Sequence, residues 1–485
     1  MEQGISAERM RKTLLLINPV DKSSHGYVRQ ERARYQPLNL GIIAALTPPG
    51  WKVKILDENL RDFKFYPADL VGFTAMTTNA NRVYELSGIY REKGIPTVMG
   101  GIHASMCTEE AAKYVDTVVV GEAESVWGKV IEDFNRQGME KLYYGELTSL
   151  IHSPKPRRDL FFPGYFFGSL QTSRGCPMNC NFCSVTAFNG QHYRFRPIDE
   201  VIEEMKETPQ KILNIVDDNI IGYNKQSRER ALELFKAMID AKLNKFWITH
   251  ASLNVADDEE VLHYMKKSGC KLLFIGIESD DPDQLKNANK KLNLRMGVHS
   301  YNKVFRKLHR YGIGSVIGTM YGFETETKET IDKRVNFFRK CQADSIQSTI
   351  VTPLPGTGLF KKMESEGRLE VTNFPEAWRN YSFEEPTFRP DFMDRKEMGE
   401  YILKGLERVY DRKLIKRRFY RTWWQTRSLS TAYLGFNSYW FYRNAVLRIW
   451  EDGKIPWVER LLKLINSWGR PDTSYLMSEI PKEKE

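Results

Sequence analysis

Cysteine is scarce in this chain, with 6 residues among 485. No basic segment followed by an apolar one, the pattern of a secretory signal, stands at the N-terminus, so we expect a reducing, cytoplasmic compartment without disulfides. Three of the six cysteines nevertheless crowd into "RGCPMNCNFCS" (174–184). Cys107, Cys270 and Cys341 are scattered among apolar residues, as inert core cysteines are. The cluster therefore predicts a metal or redox site.

Long hydrophobic runs are also missing. No stretch of about 18 apolar residues is present, so we expect no transmembrane helix. Acidic residues are too few to balance the basic ones, since the chain has 62 Asp and Glu but 72 Lys and Arg. The net charge is therefore +10. This excess indicates an anionic partner, such as nucleic acid, an anionic membrane surface or a phosphorylated ligand. A hydrophobic fraction of 41% over 485 residues predicts a globular chain of two or three domains.

Nucleotide-binding glycine motifs are absent from the first predicted domain, residues 1–150. Apolar runs at 13–19, 51–59, 69–75, 95–101 and 116–122 alternate with helical patterns at 38–46, 79–93 and 109–113. This alternation predicts a parallel α/β sheet covered on both faces. No G-x-G-x-x-G and no G-x4-G-K-[ST] follow the first run, so a dinucleotide or a nucleoside triphosphate is not favoured.

Small or polar residues end these predicted strands, where ligands bind in open α/β sheets. The glycines there either make tight turns or let a ligand approach the backbone closely, and both interpretations stay open. The candidates are Asn18, Thr74, Thr77, Gly100, Gly101, Gly121 and Glu122.

A second α/β domain is predicted over residues 160–365. Six apolar runs, at 168–173, 211–219, 245–252, 271–279, 314–323 and 345–353, are separated by segments of helix length, which predicts a (β/α)6 partial barrel. Chemistry is expected at the carboxyl ends of such strands, where the cysteine cluster also falls. Some of the polar residues there are equally suited to capping the next helix. These residues are Asp217, Asp218, Asn219, Ser252, Asn254, Glu278, Ser279 and Thr352.

The three clustered cysteines are one ligand short of the four usual for a [4Fe–4S] cluster, so one iron would stay open. A zinc site is the alternative, and it needs a fourth Cys or His at a suitable spacing. The nearest histidine, His192, lies nine residues beyond Cys183. Zinc is therefore the weaker interpretation.

The C-x3-C-x-[aromatic]-C motif at the mouth of a partial barrel resembles the radical S-adenosylmethionine (SAM) enzymes. The resemblance implies that Cys176, Cys180 and Cys183 ligate a [4Fe–4S] cluster whose open iron binds SAM, with Phe182 as the adjacent aromatic residue. It further implies that SAM is reductively cleaved to a radical that removes hydrogen from a carbon. By strand position, Asp217 to Asn219 would hold the methionine portion. Gly276 and Glu278 would line the ribose, and Gly318 in "GSVIGTMYGFE" (314–324) would contact adenine.

An α/β domain placed before such a barrel resembles the cobalamin-binding subclass of these enzymes. The resemblance spans residues 10–400, and cobalamin would lie between the strand ends of a Rossmann-like domain and the barrel mouth. The strand-end candidates of the first domain then become cobalamin contacts. No histidine has Asp two residues before it, so the D-x-H-x-x-G signature is absent. His103 is accordingly interpreted as a turn histidine, with contact to the corrin as the alternative. The patterns that carry the resemblance are "GGIHAS", "VVVGEAE", "TSRGCPMNCNFCS", "YRFRP", "VDDNIIG", "FIGIES" and "TPLPGT".

The activity implied by this resemblance is methylation of an unactivated carbon in a small molecule or lipid, with an electron donor such as flavodoxin or ferredoxin. A cyclase of the same superfamily, without methyl transfer, is the first alternative. A methylthiotransferase would need three more cysteines in the first domain, where only Cys107 occurs. A non-enzymatic corrinoid sensor would not need the polar strand ends of the barrel.

The last predicted region, residues 366–485, is helical, basic and aromatic. Within 411–450 it holds nine Lys and Arg, one acidic residue and eleven aromatic residues, with Ile415, Phe419 and Trp423 at helical spacing. Such a helix either lies peripherally on the inner face of a membrane or packs against the barrel with its arginines solvated. Nucleic-acid binding by stacking and phosphate contact is not favoured.

Overall fold

The computed structural model describes residues 12–21, 35–136 and 138–449. The first sheet has six parallel strands in the order β2-β1-β3-β4-β5-β6. They are β1 (Thr13–Asn18), β2 (Lys52–Asp57), β3 (Leu70–Thr74), β4 (Thr97–Gly100), β5 (Thr117–Gly121) and β6 (Leu142–Gly145). The sequence did not predict β6. It is a short edge strand in which Tyr144 is exposed and Tyr143 is buried, so it lacks the continuous apolar run of a central strand.

Helices cover both faces of this sheet, as the unbroken apolar runs predict. Along β1, Leu14 and Leu16 pack into one core, whereas Leu15 and Ile17 pack into the core on the opposite face. The helices are α1 (Leu38–Leu46), α2 (Ala80–Arg91), α3 (Ile102–Met106), α4 (Thr108–Tyr114) and α5 (Trp127–Asn135).

The second sheet confirms the predicted partial barrel. Its six parallel strands are consecutive in space, and two short strands between the first and second of them form a separate antiparallel pair. The strands are β7 (Gly168–Leu170), β8 (Ser173–Arg174), β9 (Arg194–Phe195), β10 (Ile212–Ile215), β11 (Phe246–Ala251), β12 (Cys270–Glu278), β13 (Gly314–Tyr321) and β14 (Ser345–Ile350). The helices are α6 (Ser184–Asn189), α7 (Ile198–Glu207), α8 (Lys225–Asp240), α9 (Glu259–Ser268), α10 (Pro282–Asn287), α11 (Lys291–Met296), α12 (Tyr301–Arg310), α13 (Lys328–Lys340) and α14 (Gly358–Ser365).

The chain returns to the first sheet before its last helices. Residues 366–394 contain a 3-10 turn at Glu376–Asn380 but no α-helix, so the predicted helical character begins only at residue 395. Trp378 and Tyr381 are buried in the same core as Ile17, and the Trp378 indole donates a 2.9 Å hydrogen bond to the Glu110 carboxylate. We call residues 371–381 the return segment, because they place part of the C-terminal region against the N-terminal sheet.

Three long helices end the described chain: α15 (Arg395–Val409), α16 (Arg412–Thr426) and α17 (Leu429–Leu447). Phe419, Phe436 and Tyr439 are buried in the main barrel core, in accord with the packing interpretation. Arg418 is not solvated as that interpretation assumed, since it is buried and donates hydrogen bonds to the backbone carbonyls of Phe338 and Ala343. The rest of the predicted region, from 450 onward, lies outside the described residues. Among the described helices, none combines the length and hydropathy needed to cross a bilayer.

A buried ion pair of the barrel lies where α16 packs against it, and Thr422 of α16 donates a hydrogen bond to this pair. His309 Nε2 lies 2.9 Å from Asp344 Oδ2, and Asp344 also accepts hydrogen bonds from the Ser315 amide and the Thr422 hydroxyl. Burial alone would raise the pKa of the Asp344 carboxyl, but the facing His309 lowers it to about 2. Burial alone would lower the pKa of His309, but Asp344 raises it.

We expect Asp344→Asn to lower the free energy of unfolding by about 3 kcal/mol, because His309 then loses its buried counter-ion. The contribution of Asp344 is present above its unfolded pKa of about 4 and is lost as the pH falls toward 2. The contribution of His309 is present below its unfolded pKa of about 6.5 and is lost as the pH rises through its higher folded value. Denaturant titrations between pH 3 and pH 8 should therefore show a stability maximum that the variant lacks. Asp332→Asn, which breaks an exposed pair with Arg408, should change stability by less than about 1 kcal/mol. Equal losses in the two variants would contradict this account.

Candidate active site

The three clustered cysteines lie on one loop that follows β8. The loop begins at Gly175. Only glycine fits there, because φ is +92° and a Cβ would lie 2.2 Å from the His192 carbonyl oxygen. The amide of Cys176 donates to the Gly190 carbonyl, and that of Cys183 to the Cys180 carbonyl. All three thiols are partly buried. Burial is the main cause that raises their pKa values, and with a smaller contribution from the neighbouring thiols the pKa of Cys183 reaches about 11.

This donor set fits an iron–sulfur cluster with one open iron. It supplies three sulfur ligands from one partly exposed loop, the number that the cluster needs when a substrate takes the fourth position. Among the described residues, no three His, Cys, Asp or Glu side chains converge closely enough to hold a single metal ion.

A neighbouring segment, residues 287–290, holds the cysteine loop in place. The Asn181 amide group donates to the carbonyl of Asn287 at 2.6 Å, and Asn289 donates to the carbonyl of Asn179. Next to these contacts, Lys290 is partly buried, with its Nζ 2.9 Å from Glu278 Oε1. The positive charge of Lys290 acts to lower the pKa of the Cys180 thiol, so it favours the thiolate form that ligates iron. Sequence reasoning missed Lys290, because it stands in the polar run "NANKKLN" without a distinguishing pattern.

The polar residues 217–219, separated by one residue from the end of β10, have different surroundings. Asp217 is fully buried and accepts bonds from the Thr172 amide and hydroxyl and from the Ser173 hydroxyl, at 2.5 to 2.7 Å. Its carboxylate thus positions the turn that leads into the cysteine loop. Asp218 accepts from the Gly175 amide at 3.2 Å, and burial together with Asp217 raises its pKa to about 6.

Asn219 is turned toward the next strand end. Its side-chain oxygen accepts from the amides of Ile221 and Gly222, and its Nδ2 donates to the Ser252 hydroxyl at 3.0 Å. Of the three residues predicted to hold the methionine portion, Asp218 has the direct contact with the cysteine loop.

The other predicted barrel residues meet on the strands that follow. Gly276 of β12 pairs with Gly318 of β13, and a Cβ on Gly276 would lie 2.3 Å from Glu278 Oε1. Glu278 has a φ of +61°, which is strained for a residue with a side chain. Phe182 packs against an apolar cluster beyond these strand ends.

A cavity of about 450 Å³ lies between the strand ends of the first sheet and the barrel. Its lining on the first side is rich in glycine. A Cβ on Gly100 would have no atom nearer than 3.9 Å, so the strand end there is open to a ligand. This surface fits a large planar group that approaches the backbone, as a corrin does. Five predicted residues line the cavity, namely Thr74, Gly100, Gly101, Gly121 and Glu122, and from the barrel side Gln171, Arg174, Phe188, Asn189 and Val216 line it.

Three predicted residues of the first sheet lie outside the lining of this cavity. Asn18 donates to Asp57 at 3.0 Å, and Thr77 is buried in a short 3-10 turn. His103 is fully buried, with its Nε2 3.0 Å from the Tyr84 hydroxyl and its ring against Trp378 of the return segment. His103 therefore lies within α3 and not in a turn, and its contact to the corrin stays a prediction.

Two family models match the two halves of the described architecture. The B12-binding domain matches residues 26–130, and the radical SAM superfamily matches residues 170–338. The chain belongs to the cobalamin-binding radical SAM enzymes. Its cofactors are therefore a [4Fe–4S] cluster, SAM and cobalamin, whereas the residues named above as their contacts stay predictions.

Curated relatives of this enzyme include methyltransferases. Bacteriochlorophyllide d C-12(1)-methyltransferase of Chlorobaculum tepidum is 28% identical over 442 residues, which cover 86% of this chain and 91% of the relative. Hopanoid C-2 methylase of Rhodopseudomonas palustris is 28% identical over 389 residues, covering 75% and 72%. Among solved structures, the radical SAM methyltransferase TsrM of Kitasatospora setae, with cobalamin and a [4Fe–4S] cluster bound, has a TM-score of 0.63 at 16% identity, covering 83% of this chain and 90% of that chain. This last likeness supports the fold.

Proposed function

We propose that the enzyme methylates an unactivated carbon of a small-molecule or lipid substrate. The observation that carries the proposal is the cavity whose opposite walls come from the first α/β unit and from the mouth of the barrel. One wall is the glycine-rich strand ends at Gly100 and Gly121, and the other contains Arg174, two residues before the first cysteine of the loop. Methyl transfer to carbon needs both cofactors near one substrate, and a cavity between these two walls supports such an arrangement.

The side chains have distinct roles in this proposal. When bound, the cofactors supply a 5′-deoxyadenosyl radical for hydrogen abstraction and a methyl group for transfer. Cys176, Cys180 and Cys183 would hold the cluster. The Lys290–Glu278 pair would present fixed charges beside it, and the largely apolar walls of the cavity would exclude water from a radical.

The test is untargeted mass spectrometry of lipid and soluble extracts from cells with and without the gene. A compound heavier by one methylene, present only with the gene, supports methylation and identifies the substrate. Growth on methionine labelled with deuterium in its methyl group should add about three mass units to that compound. A gene-dependent product that never acquires label would contradict the proposal.

A cyclase without methyl transfer is the second candidate. The anaerobic magnesium-protoporphyrin IX monomethyl ester cyclase of Cereibacter sphaeroides is 25% identical over 402 residues, covering 74% of this chain and 62% of the relative. A gene-dependent compound lighter by two hydrogens would favour this candidate.

We also propose a flavodoxin or ferredoxin as electron donor, since the net charge of +10 suits an acidic protein. If neither a flavodoxin nor a ferredoxin reduces the reconstituted cluster, that proposal is wrong.

We further propose that α16 contacts an anionic membrane surface. Its outward face carries the exposed cations Lys413 and Arg417 beside two exposed aromatic residues, Tyr420 and Trp424, and the exposed Arg427 follows directly after the helix. Trp424 is 70% exposed, and the Arg427 guanidinium lies 4.1 Å from its ring. Basic and aromatic side chains on one helix face are typical of interfacial binding.

In flotation assays with vesicles containing phosphatidylglycerol, Lys413→Glu/Arg417→Glu should bind at least about tenfold more weakly than the unchanged enzyme. The matched control is Lys225→Glu/Lys333→Glu, which makes the same charge change on two exposed lysines outside α16. Equal losses in both variants would indicate a general charge effect and overturn the role of α16. Absence of binding by the unchanged enzyme would also overturn it.

A further inference from the structure

Four charged side chains join the first sheet to the cysteine loop at the rim of the cavity. They are Glu122 and Glu124, which follow β5, Arg174 of β8 and Arg194 of β9. Their side chains are 3%, 18%, 12% and 17% exposed, respectively. We call this set the junction cluster. Two negative and two positive charges are thus paired, largely out of water, across the boundary between the first sheet and the β8–β9 pair.

Glu122 is the centre of the junction cluster. Arg194 donates to both of its carboxylate oxygens, at 2.6 and 2.8 Å, and Arg174 lies 3.1 Å from Oε1. The amide of Thr148 donates to Oε2 at 3.1 Å. A carboxylate held in this two-point geometry has little freedom to translate. Burial alone would raise the pKa of Glu122, but the two arginines outweigh burial and lower it, so the carboxylate is charged.

The backbone on the first-sheet side of the junction is tightly packed. Gly121 has a φ of +79°, and a Cβ there would lie 2.4 Å from the carbonyl oxygen of Gly145 at the end of β6. A Cβ on Gly145 would lie 1.9 Å from the carbonyl oxygen of Glu122. The ends of β5 and β6 therefore lie so close together that the backbone of Glu122 is fixed relative to the first sheet.

The opposite side of the cluster leads directly to the cysteines. Arg174 also donates to Glu124 at 2.6 Å and to Gln171 at 2.7 Å, and its position in the chain is two residues before Cys176. Arg194 donates to the Asn189 carbonyl at the end of α6, which follows the cysteine loop. The cluster thus holds both ends of the segment that carries the cysteines.

We infer that the junction cluster sets the separation between the glycine-lined strand ends and the cysteine loop, and that Arg194 is a positioning residue for coupling radical formation to methyl transfer. This inference rests on the proposed function for its second part only. If the separation changes, the substrate is misplaced toward the other wall. A 5′-deoxyadenosyl radical would then take its hydrogen atom from the added reductant and leave as 5′-deoxyadenosine without methylation. A misplacement of about 1 Å can cost about a hundredfold in such a step.

The test compares Arg194→Gln with Arg82→Gln. Arg82 is a close match, since it makes a two-point pair with buried Glu58 and is 19% exposed, but both partners belong to the first sheet and its helices. Two quantities are measured. The first is amide hydrogen exchange of residues 145–148 and 172–176 in the chain as purified, and the second is the ratio of 5′-deoxyadenosine to methylated product in the reconstituted enzyme.

We expect Arg194→Gln to speed exchange in both segments and to raise the ratio about tenfold or more, while Arg82→Gln changes neither. Arg194→Lys, which keeps the charge but not the two-point contact, should give a smaller rise in the ratio and also serves if the glutamine variant fails to fold. Unchanged exchange overturns the positional role of the cluster. Faster exchange with an unchanged ratio overturns its role in coupling. If the unchanged enzyme makes no methylated product, the proposed function fails, and the exchange result alone decides the positional role.

Discussion

Replacing Cys180 with alanine is expected to abolish cleavage of SAM and to leave cobalamin bound. The Cys180 thiol lies on the loop after β8, outside the residues that line the cavity, whereas the glycine-rich wall belongs to the first sheet. A cluster that has lost one of three thiolate ligands cannot keep its iron, so formation of 5′-deoxyadenosine under strong reductant should fall to background. Chromatography of the nucleoside, iron content and the visible absorbance of cobalamin measure the three quantities.

Cys107→Ala is the matched control for this experiment. Its thiol is also partly buried, and it lies in the first α/β unit, where it should hold no iron. Iron content and SAM cleavage should therefore match those of the unchanged enzyme. If Cys180→Ala lost cobalamin together with iron, the division of the two cofactors between the two sheets would be wrong.

Gly100→Leu is expected to have the reciprocal effect, with loss of cobalamin and an intact fold. The new side chain would start from an open strand end, with no atom nearer to its Cβ than 3.9 Å, and would extend into the cavity of about 450 Å³. Overlap of several side-chain atoms with a ligand costs about 1–3 kcal/mol or more, and a factor of ten in affinity corresponds to about 1.4 kcal/mol. Cobalamin retained after gel filtration should fall at least about tenfold, and the product of methylation should fall with it.

The control for this variant is Gly128→Leu on α5, where a Cβ meets nothing within 4 Å and the position is exposed. It should retain cobalamin. Far-ultraviolet circular dichroism should show the same melting transition for both variants. A Gly100→Leu enzyme that binds cobalamin fully would place the corrin away from this wall.

Most strands could be predicted from the sequence because strands buried on both faces are continuous apolar runs. The run at 13–19 became β1, and the predicted helix at 38–46 became α1 with the same bounds. The cysteine loop was equally predictable, because its ligands are adjacent in the chain. By contrast, β6 was missed because an edge strand is half exposed, and Lys290 because its partner Glu278 comes from a different element.

The junction cluster shows most clearly what could not be predicted from the sequence. Glu122 was predicted as a cobalamin contact from its strand-end position, but its partner Arg194 is 72 residues away along the chain. Local patterns carry no information on such a pair, since only the packing of the first sheet against the β8–β9 pair brings the side chains together. The return segment escaped prediction for the same reason, as Trp378 contacts a helix 268 residues earlier.

The return segment also imposes an order on synthesis. Trp378 and Tyr381 complete the hydrophobic core beneath β1 and β3, yet every strand of the barrel leaves the ribosome before them. The N-terminal sheet therefore cannot finish its core when it first emerges, although domains generally fold in the order of their synthesis. The cobalamin-binding domain can therefore complete its fold only after the barrel, which receives the iron–sulfur cluster, has been translated. A chain that ended within the barrel would lack a fully folded cobalamin-binding domain.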